Sequence, residues 1–416
     1  MRKGIIVARI YLDHAATTDT LPEAVDAVVA QMRAGGNPSS LHSAGRRARS
    51  TVEMAREKIA RVAGCDSAEI IFTSGGTEAD NLAIKGLYWK RREANPVARK
   101  ILVSSIEHHA VGDAVEWLEK YEDATAVWLP VDEFGVVDLE TLRAEVSSDP
   151  ESVALVTVMW ANNEVGSIQP IAEIAAIAQE FDIPMHTDAV QAFGAIPVNF
   201  RESGVTTMAI SGHKIGGPMG VGALIATRSA AMMPVLHGGG QERSVRSGTI
   251  DAASIAGFAA AATSAGENLA EESTRIAQLR NTVIERVQQL IPQATLRGPH
   301  PESNEELGSM PWRRLPNNAH FTFEGCEGDS LLFLLDMAGI ESSTGSACNA
   351  GVPRPSHVLL AMGLDEVTAR GAQRFTLGHS TTAEDIEALI KALPAAFEQA
   401  QEAGLAAHTP DAALWH

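Results

Sequence analysis

Cysteine is scarce in this chain and badly placed for cross-linking. Three cysteines among 416 residues, Cys65, Cys326 and Cys348, are odd in number, far apart and without a CxxC spacing. That excludes a disulfide framework and a structural zinc site, and it suits a reducing cytoplasm. Basic charge is also short: Lys+Arg 33 against Asp+Glu 52 leaves a net charge of −19. A chain this acidic repels phosphate backbones and anionic membrane surfaces, so nucleic acid and membrane drop out as partners. No run approaches the ~18 apolar residues that a bilayer span needs. The best, 255–262, ends at Thr263 and Ser264. The apolar run after Met1-Arg2-Lys3 is broken by Arg9 and Asp13, which argues against a signal peptide. HExxH, HxxxH, GxGxxG and the P-loop pattern are missing too, so those metal and nucleotide templates fail.

What is present is ordinary globular material, 45% hydrophobic and 20% charged. At roughly 150 residues per domain the length allows two or three domains. Short β-branched runs at 69–73, 101–104, 153–159, 183–186, 207–210 and 222–226 alternate with helix-length amphipathic segments. One such segment, 170–181, opens on Pro170 and sets Ile171, Ile174, Ile177 and Ala178 on one face. The alternation predicts a mostly parallel sheet with helices on both faces. Beyond Gly248 the texture changes to an Ala-rich helical stretch over 251–291, then a polar segment, 299–318, predicted to be an exposed loop. A strand at 319–323, a helix at 328–338, a Ser/Gly/Ala-rich loop at 342–351 and a last helix from Ala383, interrupted at Pro394, complete the expectation. The predicted division is a large α/β domain over 17–265 and a smaller α+β domain built from 1–16 and 266–416.

In open α/β sheets ligands bind beyond the carboxyl ends of the strands, so the residues there carry the functional argument. Ser74-Gly75-Gly76-Thr77-Glu78 follows the first run and opens a helix. Glycines there let N–H groups approach an anion, although a plain helix cap would look the same. Asp188, followed by Gln191, could pair with a protonated ring nitrogen, while a lone Asp there serves as readily as a cap. In Ser211-Gly212-His213-Lys214 the lysine would be costly to bury unless paired or used, for example on an aldehyde cofactor. His108 and His109 are adjacent and on an extended chain would point to opposite faces, so one imidazole facing a site as a stacking or proton-handling catalytic group, His108, fits better than a shared metal. A lysine for an aldehyde, an acid for a pyridinium and a helix N-terminus for a phosphate are together the needs of pyridoxal phosphate.

At this point the sequence resembles the cysteine desulfurases of the NifS/IscS type. The resemblance rests on Tyr11–Thr18, Gly36–Ser40, Thr73–Asn81, Glu107-His108, Asn162–Gly166, Asp188–Gln191, Ser211–Lys214, His237–Glu242, Arg246–Thr249, Ser346-Ala347-Cys348 and Arg374–Gly378. These span nearly the whole chain. The resemblance implies a fold-type I pyridoxal-phosphate homodimer with a seven-stranded sheet, which takes sulfur from L-cysteine and releases L-alanine. It implies that Lys214 forms the Schiff base and shuttles protons, Asp188 pairs with the pyridinium, and His108 stacks on the ring. Gln191 and Asn163 would bond the phenolic oxygen region. Gly76, Thr77, Ser211 and His213 would hold the phosphate, with Thr249 from the other subunit. Arg374, with Asn37, would clamp the substrate carboxylate, a bidentate task suited to a guanidinium. Cys348 would attack the substrate sulfur, carry it as a persulfide to a sulfur-acceptor or iron–sulfur scaffold protein, and transiently ligate a shared cluster.

Read on its own, Cys348 sits among Ser, Gly and Ala with little to pack against, as a mobile thiol would. From Cys348 to Pro355 an extended chain reaches roughly 23 Å, at about 3.3 Å per residue. The loop length resembles the subgroup serving iron–sulfur assembly and transfer-RNA thiolation. The tail after Ala403 lacks the stretch some members use to dock a scaffold. Competing readings are a selenocysteine lyase or aminotransferase, and a non-enzymatic sulfur-relay protein that would leave Lys214 and Asp188 unexplained.

Overall fold

The computed structural model describes residues 9–301, 313–345 and 355–407. The chain enters through a short strand, β1 (Ile10–Tyr11), and two helices, α1 (Pro22–Ala34) and α2 (Ser43–Ala63). Seven strands follow: β2 (Ile70–Thr73), β3 (Lys100–Ser104), β4 (Thr125–Leu129), β5 (Val153–Thr157), β6 (Met185–Asp188), β7 (Thr207–Ser211) and β8 (Gly222–Ala226). They form one sheet in the order β2-β8-β7-β6-β5-β3-β4. Neighbours from β7 to β4 are parallel, and β8 runs antiparallel to both β2 and β7. β5, β7 and β8 are buried along their whole length, which is why they read as continuous apolar runs. β4 has a partly exposed edge, with Trp128 in solvent, and gave no such signal.

The covering helices are α3 (Gly76–Ala94), α4 (His109–Glu122), α5 (Leu139–Ser148), α6 (Ile171–Glu180), the single turn α7 (Phe200–Ser203) and α8 (Ala252–Leu290). α6 buries Ile171, Ile174, Ala175, Ile177 and Ala178, the stripe its periodicity predicts. α8 serves two cores. Its first half puts Ile255, Phe258 and Ala262 into the cluster of the main sheet, and its second half puts Ile276, Val283 and Val287 into another. The predicted boundary at 265/266 falls inside this helix.

The second core lies under a three-stranded antiparallel sheet, β9 (Ala294–Leu296), β10 (Asn318–Phe323) and β12 (Ala372–Thr376), in the order β12-β10-β9. β11 (Ile340–Glu341) pairs with β1, which ties the start of the chain to this half. Helices α9 (Gly328–Met337), α10 (His357–Ala361), α11 (Glu366–Arg370) and α12 (Ala383–Ala407) complete it.

Two expectations fail here. α12 runs straight through Pro394 instead of breaking there. A helix-interior proline costs about 3 kcal/mol. Burial of the flanking Ile390, Leu393 and Phe397 is worth about 1.5–3 kcal/mol each and outweighs that cost. The segment 299–318 is not an exposed loop at its described C-terminal end. Arg314 is 2% exposed, and its guanidinium donates to the carbonyls of Pro299, Arg297 and Asn318. Four prolines and charges suggested solvent, but a guanidinium satisfied by carbonyls can be buried.

Candidate active site

β6 ends on Asp188, two residues beyond the run at 183–186 that the sequence pattern gave. His186 and Asp188 are two apart on a strand and so share a face. Asp188 is 6% exposed, and Oδ1 accepts the Val190 N–H at 2.8 Å. Burial, and then the nearby Asp80, push its carboxyl up to about 7. The neighbouring strand β7 ends on Ser211, whose hydroxyl is buried without a hydrogen-bond partner among the described residues. A short turn, Gly212–Ile215, then delivers Lys214. Its amine donates to the carbonyls of Ala15 and Ala16. Burial, and then Arg374, bring that amine down to about 8.

α3 begins at Gly76 after β2, with Gly75 at its cap at φ +156° and no side chain capping it. The approach there is close: a Cβ on Gly76 would lie 2.8 Å from Val190 Cγ2. Gly76 and Thr77 in the first turn of this helix, whose N–H groups have no intrahelical acceptor, line the same cavity as Ser211, a ready anion cradle. His213 Nδ1 lies 3.2 Å from Thr17 Oγ1, and burial, then Lys214, hold its ring neutral at about 4. His108 is the N-cap of α4. Its Nδ1 accepts the Ala110 N–H at 3.1 Å, so the neutral ring carries its proton on Nε2. Desolvation lowers its pKa from the ordinary value.

Arg374, on β12, is 4% exposed. Nη2 donates to Asp13 Oδ1 at 2.8 Å and Nη1 to the Asn163 carbonyl at 2.7 Å, while Nε has no partner among the described residues. Gln191 Nε2 donates to the Ala15 carbonyl at 2.9 Å. The segment 13–17 therefore runs through the site and holds Lys214, Gln191, His213 and Arg374 at once.

Gly76, Thr77, His108, Asn163, Asp188, Gln191, Ser211, His213, Lys214 and Arg374 all line one cavity of about 440 Å³. A larger cavity of about 680 Å³ between α2, α6 and α8 contains none of them. Asn37 and Thr249 do not line the cavity of their own chain; both are exposed, and Asn37 Oδ1 accepts the Ser39 N–H. Cys348, expected as nucleophile and as cluster ligand, lies outside the described residues; Gly345 and His357 on either side of it line the cavity. The sequence reading missed Asp80 and Glu164, which also line it. Asp80 sits one helical turn after Gly76, and that spacing was the available signal. No cluster of three or more metal-ligating side chains occurs among the described residues.

The aminotransferase class-V family matches residues 10–389. The chain belongs to the class-V aminotransferase family. Within it, the chain is 51% identical over 397 residues to an IscS-like cysteine desulfurase of Mycobacterium tuberculosis, covering 95% of this chain and 98% of that one. It is 38% identical over 390 residues to the cysteine desulfurase NifS of Azotobacter vinelandii, covering 93% and 92%. A NifS-like protein from Rickettsia africae superposes with a TM-score of 0.82 at 35% identity, covering 94% of this chain and 99% of that one. The cofactor of these class-V enzymes is pyridoxal phosphate, and the cavity fits it. The unpartnered Ser211 hydroxyl and the close-approach Gly76 suit the phosphate, Asp188 suits the ring nitrogen, and the depressed amine of Lys214 suits the aldehyde.

Proposed function

We propose that this class-V enzyme is a cysteine desulfurase that passes sulfur from L-cysteine, through Cys348, to an acceptor protein for iron–sulfur assembly or transfer-RNA thiolation. One observation carries the reading. Lys214, Asp188, Ser211 and Arg374 converge on one cavity in a chain 51% identical to a cysteine desulfurase over nearly its whole length. When bound, pyridoxal phosphate supplies an aldehyde for an amino group and a ring that draws electrons from the substrate Cα.

The chain's own residues do the rest. Gly76, Thr77, Ser211 and His213 would hold the phosphate, joined by Thr249 from a second copy. Asp188 would hold a proton on the ring nitrogen, His108 would stack on the ring, and Gln191 and Asn163 would hold its oxygen side. Arg374, already fixed by Asp13, would offer its unpartnered Nε–H side to the cysteine carboxylate. Lys214 takes the Cα proton and returns a proton to the product. Cys348 attacks the substrate sulfur. The S–S bond forms as the C–S bond breaks, the C–S electron pair stays with the three-carbon fragment, and a proton at Cβ and another at Cα complete alanine while Cys348 keeps the sulfur as a persulfide.

A homodimer is supported by the exposed apolar side chains Met32 on α1, Met54 on α2 and Leu41 between them, which a second copy would cover. We place the seam between a large domain, 17–265, and a small one, 1–16 with 266–416, within α8. Among the described residues no helix is long and apolar enough to cross a membrane. We place the enzyme in the cytoplasm, where Cys65 and Cys326 would stay reduced.

The deciding experiment supplies L-cysteine and a reductant and counts products. One alanine and one sulfide per cysteine support the desulfurase. Amino transfer to a keto acid, or preference for selenocysteine alone, would replace it with an aminotransferase or a selenocysteine lyase.

A further inference from the structure

Beneath the floor of the cavity lies a polar chain that the roles above leave unused. Asp80, on α3, is 1% exposed, and His186 and Thr207, paired across β6 and β7, are fully buried. His186 Nε2 lies 3.1 Å from Asp80 Oδ1, and its Nδ1 lies 3.0 Å from Thr207 Oγ1. Asp80 makes no other side-chain hydrogen bond among the described residues, yet it lines the cavity that holds Asp188. A third buried carboxyl, Glu107, approaches from the β3–α4 connection. Its Oε1 accepts the Met159 N–H at 2.6 Å, and its Oε2 has no partner among the described residues.

Three buried carboxyls in one neighbourhood cannot all be ionised, because like charges at low dielectric repel strongly. The cations facing them are Lys214, held by the carbonyls of Ala15 and Ala16, and Arg374, held by Asp13. The two imidazoles nearby, His108 and His186, are both driven toward neutrality by burial. Asp80 therefore meets only a neutral ring. As an acid it donates to His186 Nε2, and His186 Nδ1–H donates to Thr207, so the chain is satisfied with no net charge. Burial likewise favours the protonated forms of Asp80 and Glu107.

We propose that Asp80 and His186 are positioning residues, held as a neutral acid–imidazole pair that leaves the buried negative charge to Asp188. The proposal deepens the pyridoxal-phosphate reading and rests on it. An ionised Asp80 would force the proton onto Asp188 and cost the ring nitrogen its counter-ion. A neutral Asp80 bonded to His186 keeps the floor in place without competing for that charge.

Two readouts test it, one without the cofactor. Infrared spectra of the cofactor-free full chain at neutral pH should contain a protonated-carboxyl band that Asp80→Asn removes, with Glu107→Gln as the assignment control. In the loaded protein, Asp80→Asn should leave the pH midpoint of the cofactor's visible absorbance within about half a unit of the starting chain. Asp80→Leu and His186→Phe, which break the pair, should move it at least tenfold in proton affinity. A protonated-carboxyl absorption that Asp80→Asn leaves undiminished, or a midpoint unmoved by both disrupting variants, overturns the proposal. A wild-type chain that never acquires the visible absorbance would instead overturn the cofactor reading, and the infrared result would still decide the state of Asp80.

Discussion

In the proposed mechanism the chemistry turns on Lys214, and its environment makes a quantitative claim. An ordinary lysine has a pKa near 10.4, so almost none is neutral at pH 7. Burial brings Lys214 to about 8, and only the neutral amine can capture an aldehyde. The rate at which the cofactor-free chain takes up pyridoxal phosphate should therefore rise with pH, with a midpoint near 8, and level off above it. A rise continuing past pH 10 would contradict this. Lys214→Ala should abolish turnover, and borohydride should fix the cofactor to the Lys214 peptide alone in the starting chain. Arg374 makes a second claim. Its guanidinium gives one N–H to Asp13 and one to Asn163, and Nε has no partner among the described residues. An ammonium cannot bridge three such points, and charge-assisted bonds are worth about 1.5–3 kcal/mol. Arg374→Lys should raise KM for cysteine by about tenfold to a hundredfold; an unchanged KM would move the carboxylate site elsewhere.

At the scale of elements, the site was legible because strand ends and helix starts leave residue-type signatures. Ser211–Lys214 after β7 and Gly75–Gly76 before α3 stand out even without neighbours. What a sequence cannot reveal is which carbonyls and carboxylates arrive from far along the chain. The Asp13–Arg374 pair joins residues 361 apart, and Asp80 meets His186 across 106. β4 was missed because an edge strand with exposed positions lacks the buried apolar run. α12 was predicted to break because local propensity was weighed without the core it packs on. That packing carries a test: Pro394→Ala restores a backbone donor and removes a ring clash, and should stabilise the protein by about 1–3 kcal/mol in denaturant unfolding. A lower stability would mean that the proline ring is itself part of the packing.

For the whole molecule, the account requires two copies and a travelling thiol. Thr249 is exposed on its own chain, and Leu41 is 85% exposed. Sedimentation should find a dimer, and Leu41→Glu with Met54→Glu should yield monomers that retain the cofactor poorly. A monomeric starting chain would contradict this. The central claim is that Cys348 receives the sulfur. A free thiol has a pKa near 8.5, whereas burial pushes Cys65 and Cys326 up to about 12, so very little of either is thiolate at neutral pH. The most direct measurement is peptide mass analysis after brief exposure to L-cysteine, with Cys348→Ser as the comparison. The account predicts a reductant-sensitive addition of one sulfur on the Cys348 peptide and loss of alanine release in Cys348→Ser. An adduct confined to Cys65 or Cys326, or full alanine release by Cys348→Ser, would contradict it.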